Sequence, residues 1–415
     1  MKPGKYSFGI GDRFAQQGEA QLKAFADAKS KGVIITPVWN KSNREHITIN
    51  SDPSGTRKEA DNAVKKLRWD KPYFVDADHI NMSNVDKFID SSNFFTIDVA
   101  DYIGKKASNK ELDDFLRKNQ GFTGEFSIPG ITGSFTLTRE MLYLIGEKFL
   151  FAIKEAAKIY GHIESKKGKG NFITEISMDE VSQSQSPLEL FFILSSIAAE
   201  NIPVQTIAPK FSGRFNKGVD YEGDLSVFEK EFEQDLLVID MAVKEFGLPE
   251  NLKLSVHSGS DKFSIYPIMG KLIRKYDKGI HIKTAGTTWL EEMTGLALAG
   301  GDALDLAKSI YVAGLERFDE LCKPYATVID INKANLPKTQ ELSDWKGQRL
   351  ANALRHVPGH PEYNSDMRQL IHVAYKVAAE YGETYINMLN KHKEIIAEQV
   401  TENIYKRHFS RIFDL

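Results

Sequence analysis

Cysteine is almost absent from this sequence: Cys322 is the only one among 415 residues. A single thiol can form neither an intramolecular disulfide nor a cysteine-based metal site, so we interpret Cys322 as a buried or bystander residue. An excess of charge of either sign is also missing, because 54 Lys and Arg residues face 57 Asp and Glu residues and leave a formal net charge of −3. Nucleic acid is therefore not an expected partner, since no basic field is available to neutralise its phosphates.

Long hydrophobic runs are missing as well. The most apolar stretch, LELFFILSSIAA at 188–199, is too short and too interrupted to span a bilayer. The first residues, MKPGKYSFGIGDRF, contain no apolar run of the kind found in signal peptides. We therefore expect a cytoplasmic protein that has no membrane partner. The segment FGIGDRF holds only a fragment of a dinucleotide fingerprint, so a nicotinamide or flavin cofactor is not expected.

Short apolar runs alternate with helical patterns along the chain, which is typical of repeated βα units and a parallel sheet. The runs predicted as strands are 7–14, 32–40, 73–80, 94–101, 171–177, 204–211, 252–259 and 279–286. The helices predicted between them are 15–30, 56–69, 83–90, 139–161, 187–200, 226–246 and 265–277. Ser186 and Ser226 are the predicted N-caps of two of them, because each is followed three residues later by a glutamate. Eight strands in this alternation predict an α/β protein with a (β/α)8 TIM-like barrel, and a doubly wound sheet is the alternative.

Two segments fall outside the repeat. Residues 103–138 are rich in Gly, Ser and Thr and predict a loop insertion after strand 4. Residues 326–415 show helical periodicity and predict a C-terminal helical extension that packs on the barrel. Residues 1–325 would then form the catalytic domain.

Polar side chains collect where the predicted strands end, which is the face that carries the active site of a (β/α)8 barrel. The stretch LSVHSGSDKFSIYP at 254–267 places His257 and several other polar residues at one such end. Further carboxylates and imidazoles at the strand ends are Asp76, Asp78, His79, Asp98, Glu175 and Asp179. Oxygen and imidazole ligands without thiolates suit Mn, Co, Ni, Zn or Fe, so we expect a divalent metal cation. The alternative is that these carboxylates form structural salt bridges and that His257 is a core histidine.

Lysines at two predicted strand ends, Lys210 and Lys283, allow a different chemistry. Either could form a Schiff base if burial lowered its pKa, but a simpler role is to clamp a substrate carboxylate or to polarise a hydroxyl group. The Gly-rich segment KFSGRFNKGVDYEGD adds Arg214 and Lys217, which suit an anionic ligand or a basic surface loop.

Two histidines in RHVPGHPEYN, His356 and His360, have the i, i+4 spacing of a helical metal pair. Pro358 and Gly359 break the helix that would present them, so we expect a structural turn. A turn that lends one histidine to the barrel mouth remains the alternative. His372 lies in an amphipathic helix and is expected in the core.

Long strings between 171 and 290 resemble the tagaturonate epimerase family: TEISMDEVSQSQSPLELFFILSSIAAENIPVQTIAPKFSGRFNKGVDYEGD, LSVHSGSDKFSIYP and IHIKTAGTTWLEE. The resemblance implies a metal-dependent epimerase that interconverts D-tagaturonate and D-fructuronate in hexuronate catabolism, with fructose and tagatose as further substrates of some members. Residues 181–185, VSQSQ, depart from the family pattern and bear on the substrate more than on the reaction class.

The reaction that this resemblance implies inverts a carbon beta to the ketone, so direct enolisation would invert the wrong centre. Two routes remain open: retro-aldol cleavage with re-addition to the other face, or migration of the carbonyl by one carbon before deprotonation. Both develop an enolate or enediolate, whose charge a divalent metal would stabilise.

The resemblance leads to a role for each candidate residue. We expect the metal on Asp78, His79, Glu175 and His257. The predicted catalytic residues are Glu175, Asp179, Lys210 and Lys283. The predicted substrate-binding residues are Arg214, Ser258, Asp261, Lys262 and Thr284. Arg214 or Lys262 would bind the uronate carboxylate.

Two other functions remain open. A class II type metal-dependent aldolase acting on a ketose or keto-uronate would share the metal and the enolate chemistry. A sugar-binding barrel without catalytic activity would bind the ligand and leave it unchanged. The expected partner is a small-molecule keto-uronate or ketose, and a homo-oligomer is left open.

Overall fold

The computed structural model describes residues 1–284 and 286–415, and eight parallel strands in it close into a barrel. The strands of the described residues are β1 (Tyr6–Ile10), β2 (Ile35–Ser42), β3 (Phe74–Ile80), β4 (Phe94–Asp98), β5 (Gly124–Phe126), β6 (Phe135–Leu137), β7 (Ile173–Ser177), β8 (Thr206–Ala208), β9 (Lys253–His257) and β10 (Ile280–Thr284). β5 and β6 form a separate antiparallel hairpin, and the other eight strands follow chain order around the barrel until β10 pairs with β1. The predicted (β/α)8 TIM-like barrel is confirmed, and the doubly wound alternative is wrong.

Helices surround this barrel. Those of the described residues are α1 (Gly18–Ser30), α2 (Asn43–Ile49), α3 (Pro53–Leu67), α4 (Asn109–Asn119), α5 (Arg139–Lys167), α6 (Pro187–Ala199), α7 (Leu225–Phe246), α8 (Tyr266–Lys275), α9 (Thr287–Ala299), α10 (Gly301–Glu316), α11 (Phe318–Cys322), α12 (Thr339–Ser343), α13 (Gly347–Leu354), α14 (Ser365–Val373), α15 (Tyr375–Glu380), α16 (Glu383–Lys391), α17 (Lys393–Glu402) and α18 (Ser410–Phe413). A π-helical segment, Asn403–Phe409, joins α17 to α18. No helix among the described residues has the length and apolarity needed to cross a membrane.

The barrel interior changes from apolar to polar along the strands. Its apolar part is a separate buried cluster of Val38, Phe74, Phe94 and Ile173. Side chains on one face of a strand recur every second residue, so the next positions on β3, β4 and β7 are Asp76, Thr96 and Glu175. All three are buried. A polar layer therefore lies directly above an apolar floor, on the side of the carboxyl ends of the strands.

Several predicted strand ends are wrong. β1 ends at Ile10 rather than at residue 14, because the carboxylate of Asp12 accepts hydrogen bonds from the backbone N–H groups of residues 14–17 and turns the chain towards α1. β8 is shorter than the predicted 204–211. The predicted strand 279–286 includes residue 285, which lies outside the described residues.

The predicted helix signals were partly right. Ser186 forms the predicted capping box with Glu189 at the start of α6. The predicted N-cap at Ser226 is wrong, because the carboxylate of Asp224 accepts from the N–H of Ser226 and α7 begins at Leu225. The predicted helix 83–90 is only a 3₁₀ turn, Val85–Lys87.

The two segments predicted outside the repeat are present. The insertion after β4 contains α4 and the β5–β6 hairpin, so it is more regular than a loop. The C-terminal helices pack on the barrel helices, and Phe409 contacts Phe8 and Phe25 with ring centroids 5.0 and 4.9 Å away. The division into a catalytic domain and an extension at residue 325 stays a prediction.

Candidate active site

Lys283 occupies the centre of the polar layer in the barrel. Its Nζ lies 2.7 Å from Oδ2 of Asp76, 2.8 Å from Oδ1 of Asp78 and 3.0 Å from Oε1 of Glu175. Burial on its own would lower the pKa of Lys283, but the three carboxylates outweigh burial and raise that pKa well above its usual value. A Schiff base needs an unprotonated amine, so this environment opposes that alternative for Lys283.

His79 projects from an irregularity at the end of β3. The pairing register between β3 and β4 shifts between Ala77 and Ile80, and His79 adopts a left-handed φ of 50°. A bulge of this kind redirects a side chain, and a non-glycine residue held at positive φ is a local strain typical of functional sites. Nδ1 of His79 lies 3.0 Å from Oδ2 of Asp98, at the end of β4. The contact fixes the ring, and Nε2 on its other side lies 3.8 Å from Oδ1 of Asp78.

His257 ends β9 and is held between two carboxylates. Its Nε2 lies 2.8 Å from Oε1 of Glu175, and its Nδ1 lies 3.0 Å from Oδ1 of Asp179. Burial lowers the pKa of His257, but Asp179 and Glu175 outweigh burial and bring the pKa to about 9. The site is therefore strongly favourable for positive charge.

The side chains of His79, Asp179 and His257 converge into one group of nitrogen and oxygen donors. One donor atom from each residue lies within 4.8 Å of the other two, and the imidazole rings are 5.2 Å apart in an edge arrangement. Two imidazoles and a carboxylate are suitable ligands for a divalent transition metal. Each imidazole also contacts a carboxylate through its other nitrogen, a common arrangement around protein metal sites. These residues could therefore hold a metal ion.

A second donor group shares one of these residues. His79, Asp98 and Glu180 also bring one donor atom each within 4.8 Å of the others. Glu180 is exposed and the other two are partly buried. The two groups share His79 and lie at the carboxyl ends of β3, β4, β7 and β9, so they belong to one site rather than to two separate regions.

The four residues predicted as metal ligands do not form one group. His79 and His257 lie together, whereas Asp78 and Glu175 contact the ammonium of Lys283. The pKa of Asp78 falls to about 2, because Lys283 and the two histidines outweigh the effect of burial. Asp179, predicted as a proton-transfer group, takes the position beside the histidines.

The predicted substrate-binding residues on β9 and β10 bond mainly to the protein itself. The hydroxyl of Ser258 donates to the carbonyl of Lys283 at 2.7 Å, and that of Thr284 donates to the carbonyl of Gly9 at 3.2 Å. Lys262 is fully buried and donates to two backbone carbonyls of the loop 216–219. Direct substrate contact by these three residues stays a prediction that their contacts do not favour.

Asp261 is the centre of a buried ionic cluster, although it was predicted to bind substrate. Oδ2 of Asp261 accepts from Arg368 at 2.7 Å and lies 3.3 Å from Nδ1 of His356. His408 lies 3.4 Å from Oδ1. Burial raises the pKa of Asp261, but Arg368 and the histidines outweigh burial and hold the pKa well below its usual value. The cluster ties the loop after β9 to the C-terminal helices.

Two more predicted residues lie on the loops after β8. Arg214 is exposed and pairs with Asp330 at 2.9 Å. Lys210 is partly buried, its backbone N–H donates to the side chain of Gln185, and its ammonium lies 5.9 Å from the centre of the Phe215 ring. Neither contact assigns a role in substrate binding or proton transfer.

The histidines of the C-terminal extension have structural contacts. His356 stacks on Tyr363 with ring centroids 5.7 Å apart, and Nδ1 of His360 accepts from the backbone N–H of Glu362. The predicted structural turn agrees with these contacts. His372 is buried as predicted, and burial holds its pKa well below the usual value.

Sequence reasoning did not assign a role to two residues that organise the site. Asp98 was visible as a strand-end carboxylate, but only the bulge in β3 brings His79 to it. Arg368 lies on α14, more than a hundred residues after its partner Asp261. No local pattern could have predicted that pairing.

Comparison with known proteins agrees with the resemblance. The sequence profile of a family described as tagaturonate epimerase matches residues 1–412. The tagaturonate/fructuronate epimerase of Thermotoga maritima is 27% identical over 432 residues, which cover 97% of this chain and 79% of that protein. Crystal structures of fructuronate-tagaturonate epimerase from Cohnella laeviribosi, with one glycerol and in native form, match with TM-scores of 0.81 and 0.79. Both are 22% identical, and each match covers 99% of this chain and 82% of that chain, which establishes a shared fold.

Proposed function

The chain belongs to the tagaturonate epimerase family, whose members are isomerases, and we propose that this protein interconverts D-tagaturonate and D-fructuronate. The observation that carries the proposal is the convergence of His79, Asp179 and His257 at the carboxyl ends of the barrel strands. This is the face on which barrel enzymes carry their active sites. The neutral ketoses fructose and tagatose are further candidate substrates.

We propose that a divalent metal cation binds to these three residues. Asp78 and Glu175, which the sequence predicted as ligands, are not included in this proposal, because the protonated Nζ of Lys283 lies 2.8 and 3.0 Å from their carboxylate oxygens. Mn, Co, Ni, Zn and Fe all accept a donor set of nitrogen and oxygen, so metal analysis must identify the ion. When bound, the cation would supply positive charge opposite the enolate or enediolate that either reaction route develops.

Glu175 and Asp98 are proposed to orient the two imidazoles. Each carboxylate contacts the ring nitrogen that faces away from the cluster, which fixes the tautomer and the ring plane. Lys283 is paired with His257 across β10 and β9 and adds a fixed positive charge, because its carboxylate partners keep it protonated. Its proposed role is electrostatic rather than nucleophilic.

Proton transfer is proposed for groups at the rim of the cluster. Lys210 follows the end of β8 and is only partly buried, so a substrate hydroxyl could reach its ammonium group. Either route requires a hydroxyl proton to be removed and later returned, which a positioned side chain can do. Replacing Lys210 with Met should then lower kcat far more than it changes KM.

The proposed reaction is tested by incubating D-tagaturonate with metal-loaded protein and with chelated protein, and recording the products by NMR. We expect D-fructuronate from the metal-loaded protein alone. His257→Ala and Asp179→Asn should lose bound metal and turnover together. Full turnover by chelated protein, or by variants that have lost the metal, would refute the metal site.

The same spectra separate the epimerase from the class II type aldolase. Retro-aldol cleavage of a ketohexuronate yields two three-carbon fragments. An epimerase must rejoin them before release, whereas an aldolase releases them into solution. Accumulation of free three-carbon fragments without the epimer would favour the aldolase.

A further inference from the structure

The loop that carries Lys217 is fastened to the segment after β9. The buried Lys262 donates to the carbonyls of Asn216 at 3.1 Å and Val219 at 2.8 Å. The N–H of Gly218 donates to the hydroxyl of Ser260 at 2.9 Å. These bonds hold the loop on both sides of Lys217, so its position at the barrel mouth is fixed rather than adjustable.

The side chain of Lys217 reaches the strand end that carries His257. Its Nζ lies 3.2 Å from the position that a Cβ would take on Gly259, two residues after His257. Gly259 has a φ of 67°, and its missing side chain leaves room for the ammonium group. Lys217 is therefore adjacent to the proposed metal ligands without being one of them.

Charged groups of both signs surround Lys217. Burial lowers the pKa of Lys217, and the nearby guanidinium groups of Arg44 and Arg13 lower it further, while Glu180 and Asp179 raise it. Arg13 is neutralised by its ion pair with Glu45. Lys217 is therefore close to the acidic residues Asp179 and Glu180 of the two donor groups as well as to the two guanidinium groups.

The other cations considered for a substrate carboxylate are already bound. Arg214 pairs with Asp330 on the exposed surface, and Lys262 donates to backbone carbonyls. Among residues 1–284 and 286–415, the carboxylates that act on the ammonium of Lys217 are those of Glu180 and Asp179, and they do so through their charge without a side-chain hydrogen bond to it. A half-buried cation without a paired carboxylate gains more free energy from binding an anion than a fully solvated cation does.

We propose that Lys217 binds the carboxylate of the uronate substrate and so selects sugar acids over neutral ketoses. This role rests on the proposed function, because the carboxylate lies at the opposite end of a ketohexuronate from its ketone. A group that binds it must sit beside the metal cluster and not within it. Lys217 meets this requirement through the loop 216–219.

The first test compares Lys217→Met with Lys217→Arg in the metal-loaded full chain. Loss of the ammonium should raise KM for D-tagaturonate about 10- to 100-fold, as expected for a lost hydrogen bond between charged groups. KM for D-tagatose should change less than about threefold on the same basis, and Lys217→Arg should recover most of the uronate affinity. Lys271→Met, which removes an exposed charge paired with Glu229, is the matched control. Metal content and the thermal midpoint of each variant show whether the fold and the cluster are intact.

A second test works whether or not the epimerase activity exists. Calorimetry on the metal-loaded protein compares D-gluconate with D-glucitol, two open-chain six-carbon compounds that differ at the carboxylate. We expect Lys217→Met to weaken gluconate binding and to leave glucitol binding unchanged. Equal affinities for gluconate in the wild type and in Lys217→Met would overturn the proposal. The proposal would also be overturned if Arg214→Met, and not Lys217→Met, weakened the binding of the uronate without changing that of the neutral sugar. If the protein binds gluconate through Lys217 but forms no epimer, the proposed reaction is refuted and the proposed carboxylate site is retained.

Discussion

Glu175 and His257 are joined by a contact of 2.8 Å between Oε1 and Nε2, and this contact turns Nδ1 of the same ring towards Asp179. Glu175 also lies 3.0 Å from the ammonium of Lys283. One buried carboxylate therefore connects the charged interior of the barrel to the proposed metal ligands. Changes at Glu175 should affect the metal site even though Glu175 is not a proposed ligand.

The first prediction concerns this orienting role. Glu175→Gln keeps the size of the side chain but removes the charge that fixes His257, so metal affinity should fall about 10- to 100-fold. Competition with a fluorescent chelator measures the affinity directly. Glu229→Gln makes the same substitution at a partly exposed residue on α7, far from the site, and should have no effect on metal affinity. Complete loss of metal in Glu175→Gln, equal to that of His257→Ala, would instead make Glu175 a ligand.

The second prediction concerns the buried ammonium group of Lys283. Lys283→Met leaves Asp76, Asp78 and Glu175 without their cation, and an uncompensated buried charge typically costs about 3–5 kcal/mol of stability. Chemical unfolding of the metal-free protein at pH 7 should show a loss of this size. Lys271→Met, at an exposed ion pair, should stay within about 1 kcal/mol of the wild type.

The same variant should respond to pH with a definite sign. Without Lys283 the neighbouring carboxylates repel one another, which raises their pKa values in the folded state above those in the unfolded state. Groups shifted in that direction bind more protons when folded, so the folded state becomes more stable as the pH falls. The defect of Lys283→Met should therefore shrink between pH 7 and pH 5. A defect that grew on acidification would contradict this account.

The third prediction tests Asp261 as a structural group. Its pKa in the folded state is held well below the usual value, so its contribution to stability is present above the unfolded pKa of about 4 and is lost as the pH falls further. Asp261→Asn should cost about 3 kcal/mol at pH 7, because Arg368 is then left buried without a counter-charge. Asp330→Asn, at the exposed pair with Arg214, should cost less than about 1 kcal/mol. An effect on KM without an effect on unfolding would restore the predicted substrate contact.

The sequence predicted the barrel because each βα unit is encoded locally, by apolar runs and turn residues. It also identified the strand ends that carry His79 and His257, since the carboxyl ends of parallel strands meet on one face. The sequence could not show that Asp179 groups with the two histidines while Asp78 contacts Lys283, because that depends on which carboxylates Lys283 contacts across the barrel. The sequence also could not predict the bulge that redirects His79, and such a register shift changes the face of the sheet that a residue occupies.

The last prediction separates the two routes of the proposed epimerisation. Retro-aldol cleavage breaks the bond between the carbon next to the ketone and the inverted carbon, and both carbons keep their hydrogens. Carbonyl migration instead removes the hydrogen of the inverted carbon as a proton and replaces it from solvent. Epimerisation in D₂O, followed by proton NMR of the product, therefore shows deuterium at the inverted carbon for carbonyl migration and none for retro-aldol cleavage. We expect no deuterium there, because Lys210 and the metal ligands are proposed for hydroxyl chemistry, whereas carbonyl migration needs bases for two carbon acids. Full deuteration at that carbon would establish migration and would require a second base near the cluster, for which the exposed Glu180 is the first residue to replace.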